Sequence, residues 1–141
     1  MCIRDRIVVA TNAVTNSNLP ELIGAPTPIA ATPRMLDVVT DVSASNGVSL
    51  ALGTVFTSDI FYEANDDAQV MHTAAGVLAV EMETAALYSI CAVEGAEALS
   101  MFTLTDHLVT GKQLSSDERP LTVDEMLELG LRTAVAADAS A

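Results

Sequence analysis

Between Val80 and Ser89 the chain reads VEMETAALYS, with two carboxylates, Glu81 and Glu83, flanking Met82 inside an otherwise apolar run. Carboxylates are rarely buried without a partner, because desolvating a charge is costly. The pattern predicts that something polar meets Glu81 and Glu83, supplied by the protein or by a ligand. Two further clusters accompany it. Thr57, Ser58 and Asp59 are followed by Phe61 and Tyr62, and Thr105, Asp106 and His107 close the stretch ALSMFTLTDH. Each cluster has an ordinary structural reading: a strand-end Asp commonly caps a turn or helix, and Phe61 and Tyr62 fit core and rim positions. Acids, hydroxyls and aromatics at three strand ends together predict a polar site at one edge of a sheet.

The elements that must position these groups follow from patterning. The run IVVAT from Ile7 to Thr11 reads as a strand, and the stretch from Asn16 to Pro33, with four of the five prolines, as an irregular excursion. Thr32 and Pro33 read as N-cap and first residue of a helix, with Met35, Leu36, Val38, Val39 and Val42 on one face. Gly47 to Phe56 reads as a second strand. A third runs from Gly76 to about Glu83 and passes directly into a helix, and a fourth starts at Ala98. The last helix opens on Thr122 to Glu125 as a capping box, with Val123, Met126, Leu127, Leu131 and Val135 as its inner stripe. Strands alternating with helices predict an α/β fold around a central sheet. In such sheets ligands sit beyond the carboxyl ends of the strands, where the three clusters fall.

Composition narrows the function classes. The chain has 141 residues, 50% of them hydrophobic, and a net charge of −13, which fits one globular domain. The six basic residues, Arg4, Arg6, Arg34, Lys112, Arg119 and Arg132, form no run. That balance argues against a nucleic-acid backbone or an anionic membrane as partner. No apolar stretch reaches the ~18–20 residues of a membrane helix. Two cysteines, Cys2 and Cys91, give neither a disulfide framework nor metal-ligand spacing. The expectation is a cytoplasmic protein without metal.

In the order TVFTSDIFY, VEMETAALY, TLTDH and DERPLTVDEM, the motifs resemble the hexameric, bacterial-type purine nucleoside phosphorylases of the nucleoside phosphorylase superfamily. The resemblance runs from about Gly47 to about Val135, and more loosely back to Ile7. The E-M-E segment is shared across that superfamily. Asp106 and His107, with Glu118 and Arg119 downstream, narrow it to the purine enzymes. A related nucleosidase or a uridine phosphorylase is the alternative, but the Gln and Arg that uridine phosphorylases use for the uracil ring have no counterpart here.

The resemblance implies a three-layer α/β/α fold and roles for named residues. Glu83 is expected to accept hydrogen bonds from the ribose 2′ and 3′ hydroxyls, and Met82 to lie against the sugar. Glu81 is expected to order the sugar and base side of the pocket. Val80 and Phe61 would form the purine slot, with Tyr62 beside Phe61. Asp106 would be the general acid that protonates the departing purine at N7, which needs a carboxyl holding its proton near neutrality. Arg119 matches the arginine that moves toward this Asp. Thr105 stands where serine is common in the family, with the hydroxyl kept. The reaction implied is purine nucleoside plus phosphate to free base and ribose 1-phosphate. Phosphate is a co-substrate, no cofactor is needed, and the full-length protein is expected to be a homo-oligomer, hexameric in the family.

Phosphate must be held by cations or clustered backbone N–H groups. The chain offers no glycine-rich loop and no basic cluster, and the family's N-terminal phosphate-binding portion finds no counterpart. The expectation is an N-terminally truncated domain, with residues 7–141 as the C-terminal part of the family fold and residues 1–6 as a non-native leader. The alternative function is a non-catalytic fragment that retains part of a nucleoside pocket.

Overall fold

Nine residues rich in β-branched side chains, Ile7–Thr15, form strand β1. Its first four are all buried, so both faces of the strand are covered there. In the computed structural model, residues 7–61, 75–107, 112–115, 117 and 122–140 are described. Tyr62, Glu118, Arg119 and residues 1–6, expected above to be a leader, lie outside the described residues. The chain divides into two compact units. The first comprises residues up to Val9, Pro33–Ala51 and Met101–Ala141, and the second Ala10–Thr32 and Leu52–Ser100.

In the second unit, the latter half of β1 pairs antiparallel with β2 (Ile29–Ala30), Asn12 opposite Ala30. On its other side lies β3, which spans Leu50–Thr57, and beyond that β4 (Ala79–Glu81), so the strand order is β2-β1-β3-β4. Strands β3 and β4 are parallel, with Phe56 opposite Val80 and Thr57 opposite Glu81. A Cβ at Gly53 would lie 2.6 Å from Leu78 Cδ1, so the Leu78 side chain packs into the space the glycine leaves and would have to shift for any larger residue. Helix α1 is a single turn, Leu19–Leu22, within the proline-rich excursion. Helix α3, Thr84–Glu94, packs on α1 and β2 and stops at Gly95, whose φ of 69° is open to glycine at little cost. Its buried face consists of Thr84, Ala85, Tyr88 and Ser89.

In the first unit, helix α2, Pro33–Asn46, packs on helix α4, Asp124–Ala139. The start of β1 pairs antiparallel with β5 (Met101–Phe102). Strands β6 (Asp106–His107) and β7 (Lys112–Gln113) form a separate two-stranded pair. The result is an α/β fold with a mixed sheet, as the alternation of elements predicts.

Three local expectations are corrected. The fourth strand shrinks to Met101–Phe102. Helix α4 has Val123 as its N-cap, one residue after the Thr122 expected to open a capping box. Its buried stripe is Leu129, Thr133 and Ala137, while Leu127, Leu131 and Val135 are exposed. The inner face is centred on Leu129, one of the most deeply buried large side chains, with Thr133 and Ala137 following at helical spacing.

Candidate functional site

Strand β4 ends at Glu81 and α3 begins at Thr84, so Met82 and Glu83 form the entire connection. A helix start leaves its first N–H groups without intrahelical partners. Here Glu81 Oε2 accepts the N–H of Glu83 at 2.8 Å and that of Thr84 at 2.7 Å. Glu81 Oε1 accepts the hydroxyl of Thr57. The same hydroxyl accepts the buried N–H of Ala85 at 2.9 Å. The parallel register that sets Thr57 opposite Glu81 brings both side chains to one level. A carboxylate at this position also complements the positive end of the helix dipole.

Glu83 is treated differently. It occupies the N-cap position, with φ −127° and ψ −31°, yet makes no side-chain capping bond. Its Oε2 accepts the adjacent N–H of Met82 at 3.2 Å, and the residue is exposed. Of the two carboxylates flanking Met82, Glu81 turns back onto the helix and Glu83 is presented outward. The partner that the sequence demands for Glu81 is the chain's own backbone and Thr57.

The turn after β3 is fixed from the end of β1. Thr15 Oγ1 donates to the Thr57 carbonyl at 2.7 Å. Asn16 Oδ1 accepts the Asp59 N–H at 2.9 Å, and its Nδ2 donates to Ser58 Oγ at 3.4 Å. Ser58, itself buried, donates to the Ile60 carbonyl at 2.9 Å. This ladder leads to Phe61, which is 74% exposed; Val80 and Met82 expose 43% and 39%. All three apolar side chains are exposed near the junction of β4 and α3 or the turn after β3. Thr15 and Asn16 carry no motif, and their partners lie about 42 positions away, so nothing in the local sequence marks them.

One turn into α3, Tyr88 is buried. Its hydroxyl donates to the Ala10 carbonyl at 2.7 Å and accepts the Ser100 N–H at 2.8 Å. Burial pushes this phenol above its ordinary range. The helix is therefore tied to β1 and to the segment before β5.

Thr105 and Asp106 belong to the first unit. Thr105 Oγ1 donates to Asp106 Oδ2 at 2.9 Å, and the Thr105 carbonyl accepts the Leu114 N–H at 2.9 Å. Pairing of Asp106 with Gln113 fixes the backbone of this acid, and both Thr105 and Asp106 are half-buried.

Comparison with known proteins gives the family. The family model of the phosphorylase superfamily matches residues 4–137. The chain is 41% identical over 137 residues to a DeoD-type purine nucleoside phosphorylase of Geobacillus kaustophilus, with 94% of this chain and 56% of that protein covered. It is 38% identical over 136 residues to the DeoD-type purine nucleoside phosphorylase of Anoxybacillus flavithermus, covering 57% of it. The fold matches the crystal structure of a purine nucleoside phosphorylase from Toxoplasma gondii in complex with immucillin-H. The TM-score is 0.78 at 18% identity, over 96% of this chain and 58% of that one. The chain thus spans little more than half the length of the proteins it matches.

Proposed function

The chain belongs to the phosphorylase superfamily, and from that premise we propose that it carries the nucleoside side of a purine nucleoside phosphorylase site. The reaction is attack of phosphate on a purine nucleoside, releasing the base and forming ribose 1-phosphate. The observation that carries this reading is the outward, exposed carboxylate of Glu83 beside Met82, on a helix start already satisfied by Glu81 and Thr57. An exposed carboxylate with two acceptor oxygens, one of them weakly engaged by the Met82 N–H, suits the vicinal hydroxyls of a ribose. Exposed Met82, Val80 and Phe61 suit the apolar faces of sugar and purine. Asp106 is the proton donor to N7 of the leaving base, and Arg119 the cation that assists it. Thr105 holds the carboxylate through its hydroxyl. The active protein is a homo-oligomer.

Asp106→Asn tests the acid. Phosphorolysis of inosine should fall ~10²–10⁴-fold, the usual worth of general acid catalysis. Phosphorolysis of 7-methylguanosine, whose base already carries positive charge, should change little. Equal losses on both nucleosides would remove Asp106 from this role.

A second reading is nucleoside binding without phosphorolysis by these 141 residues, which span 56% of a matched relative's length. Phosphate-dependent release of base from inosine by the 141-residue chain decides between the two. Binding of inosine without release supports the second.

A further inference from the structure

We propose that Glu81 and Thr57 act as a positioning pair for Glu83, holding its carboxylate away from the helix and toward a ribose diol. The inference rests on the reading of Glu83 as the ribose acceptor. It gives a role to Thr57, which the family resemblance leaves without one. It also moves Glu81 from the lining of the pocket to the support behind it.

The argument turns on competition for backbone donors. A carboxylate at the N-cap position ordinarily folds back onto the N–H groups of the first helical turn, drawn by hydrogen bonding and by the helix dipole. Glu83 stands at that position in α3 and its side chain makes no such bond. The N–H groups flanking it, up to that of Ala85, are already taken, and the Glu83 carboxylate itself accepts only the Met82 N–H at 3.2 Å. Glu81 Oε2 accepts the N–H groups of Glu83 and Thr84, and Thr57 Oγ1 accepts that of Ala85. Thr57 Oγ1 in turn donates to Glu81 Oε1, so each partner orients the other. The pair is fixed from outside the helix. Thr57 and Glu81 are register partners on parallel strands, the Ser58 N–H donates to the Glu81 carbonyl at 2.9 Å, and Thr15 holds the Thr57 carbonyl.

Losing either side chain frees N–H groups next to Glu83. The Glu83 carboxylate then closes onto them, and a diol must displace it before binding. The consequence is specific: affinity for a ribose should fall while contacts to the base stay as they were. A residue that lined the pocket, or one that merely stabilised the fold, would not separate the two.

The test uses Thr57→Val, Glu81→Gln and Thr57→Ser in the 141-residue chain, with inosine and 2′,3′-dideoxyinosine as probes. Amide hydrogen exchange is followed in parallel at residues 83–85. Thr57→Val should speed exchange at Ala85, and Glu81→Gln at Glu83 and Thr84, by about 3- to 30-fold, the range of a lost helix cap. The Tyr88 amide should be unchanged. Both variants should lower affinity for inosine by a similar factor and leave that for 2′,3′-dideoxyinosine in place, and Thr57→Ser should retain wild-type behaviour. Equal losses for both nucleosides, or faster exchange with the preference for inosine intact, would overturn the positioning role. Unchanged exchange would overturn the capping arrangement itself. Equal affinity of the unsubstituted chain for the two nucleosides would instead show that the ribose reading of Glu83 fails, a result separate from any variant.

Discussion

Helices α3 and α4 are held at opposite ends. At the start of α3, the N–H groups of Glu83, Thr84 and Ala85 are all taken by side chains reaching from the ends of β4 and β3. At the start of α4, Val123 is the N-cap and has no side chain that can cap, and the acidic residues Asp124 and Glu125 favour the dipole. Its far end is the fixed one: Arg34 of α2 donates to the Ala137 carbonyl at 3.1 Å and to Ser140 Oγ at 3.0 Å. The difference follows use. The proposed ligand groups Met82 and Glu83 sit on the first residues before α3, where positional freedom would cost recognition.

The largest effect expected on this contrast comes from Glu81→Ala. It removes the acceptor for two backbone N–H groups and for the Thr57 hydroxyl in one step. Capping losses and unpaired donors together should lower stability by about 2–3 kcal/mol, read as a shift of the urea midpoint at constant slope. Asp124→Ala, at the start of α4, should cost no more than about 1 kcal/mol. Equal shifts for the two would erase the contrast.

How much of this was legible depends on the range of each interaction. The strands at Ile7 and before Thr57, the helix at Pro33 and the passage from β4 into α3 all follow from local runs of residues. So does the suspicion that Glu81 and Glu83 need partners. Their division of labour does not, because it depends on Thr57, brought alongside by strand register from 24 positions away. The misread stripe of α4 has the same origin. Leucines and valines at helical spacing point to one inner face, whereas Leu129, Thr133 and Ala137 are the residues that pack inward. Periodicity reports that a helix has an apolar side, but which side is buried is decided by the neighbour. Asp106 is marked by its motif, and the pairing of β6 with β7 that fixes its backbone is carried by segments too short to show a period.

Tyr88→Phe sharpens the comparison one turn further along α3. The change keeps the ring and deletes a hydroxyl that bonds both the Ala10 carbonyl and the Ser100 N–H. Leaving those two groups unpaired should cost about 1–2 kcal/mol. The same hydroxyl gives an alkaline signature. Burial, the largest cause, and the charge of Glu81 raise its pKa, against the opposing hydrogen bond from Ser100. The unfolded chain therefore loses this proton first, near the ordinary tyrosine value of about 10. The contribution of Tyr88 is fully present below that pH and is lost as pH rises through the higher folded value. Urea midpoints measured from pH 8 to 11 should fall more steeply for the unsubstituted chain than for Tyr88→Phe. Parallel curves would show that the phenol titrates alike folded and unfolded.

The smallest effect belongs to the far end of α4. The last carbonyls of a helix lack intrahelical donors, and a cation there also meets the negative end of the dipole. Arg34 supplies both through one nitrogen, while Ser140 Oγ donates to the Ala136 and Ala137 carbonyls at 3.0 and 3.1 Å. Arg34→Met keeps most of the side-chain length that packs along the helix and removes only the guanidinium. Because Ser140 still serves the same carbonyls, the loss should be modest, about 0.5–1 kcal/mol. Its location should be informative: faster amide exchange confined to the last turn of α4, with residues 83–85 untouched. Exchange that also quickened at the start of α3 would mean that the two helices are not anchored independently, and the contrast between their ends would have to be replaced by a single cooperative network.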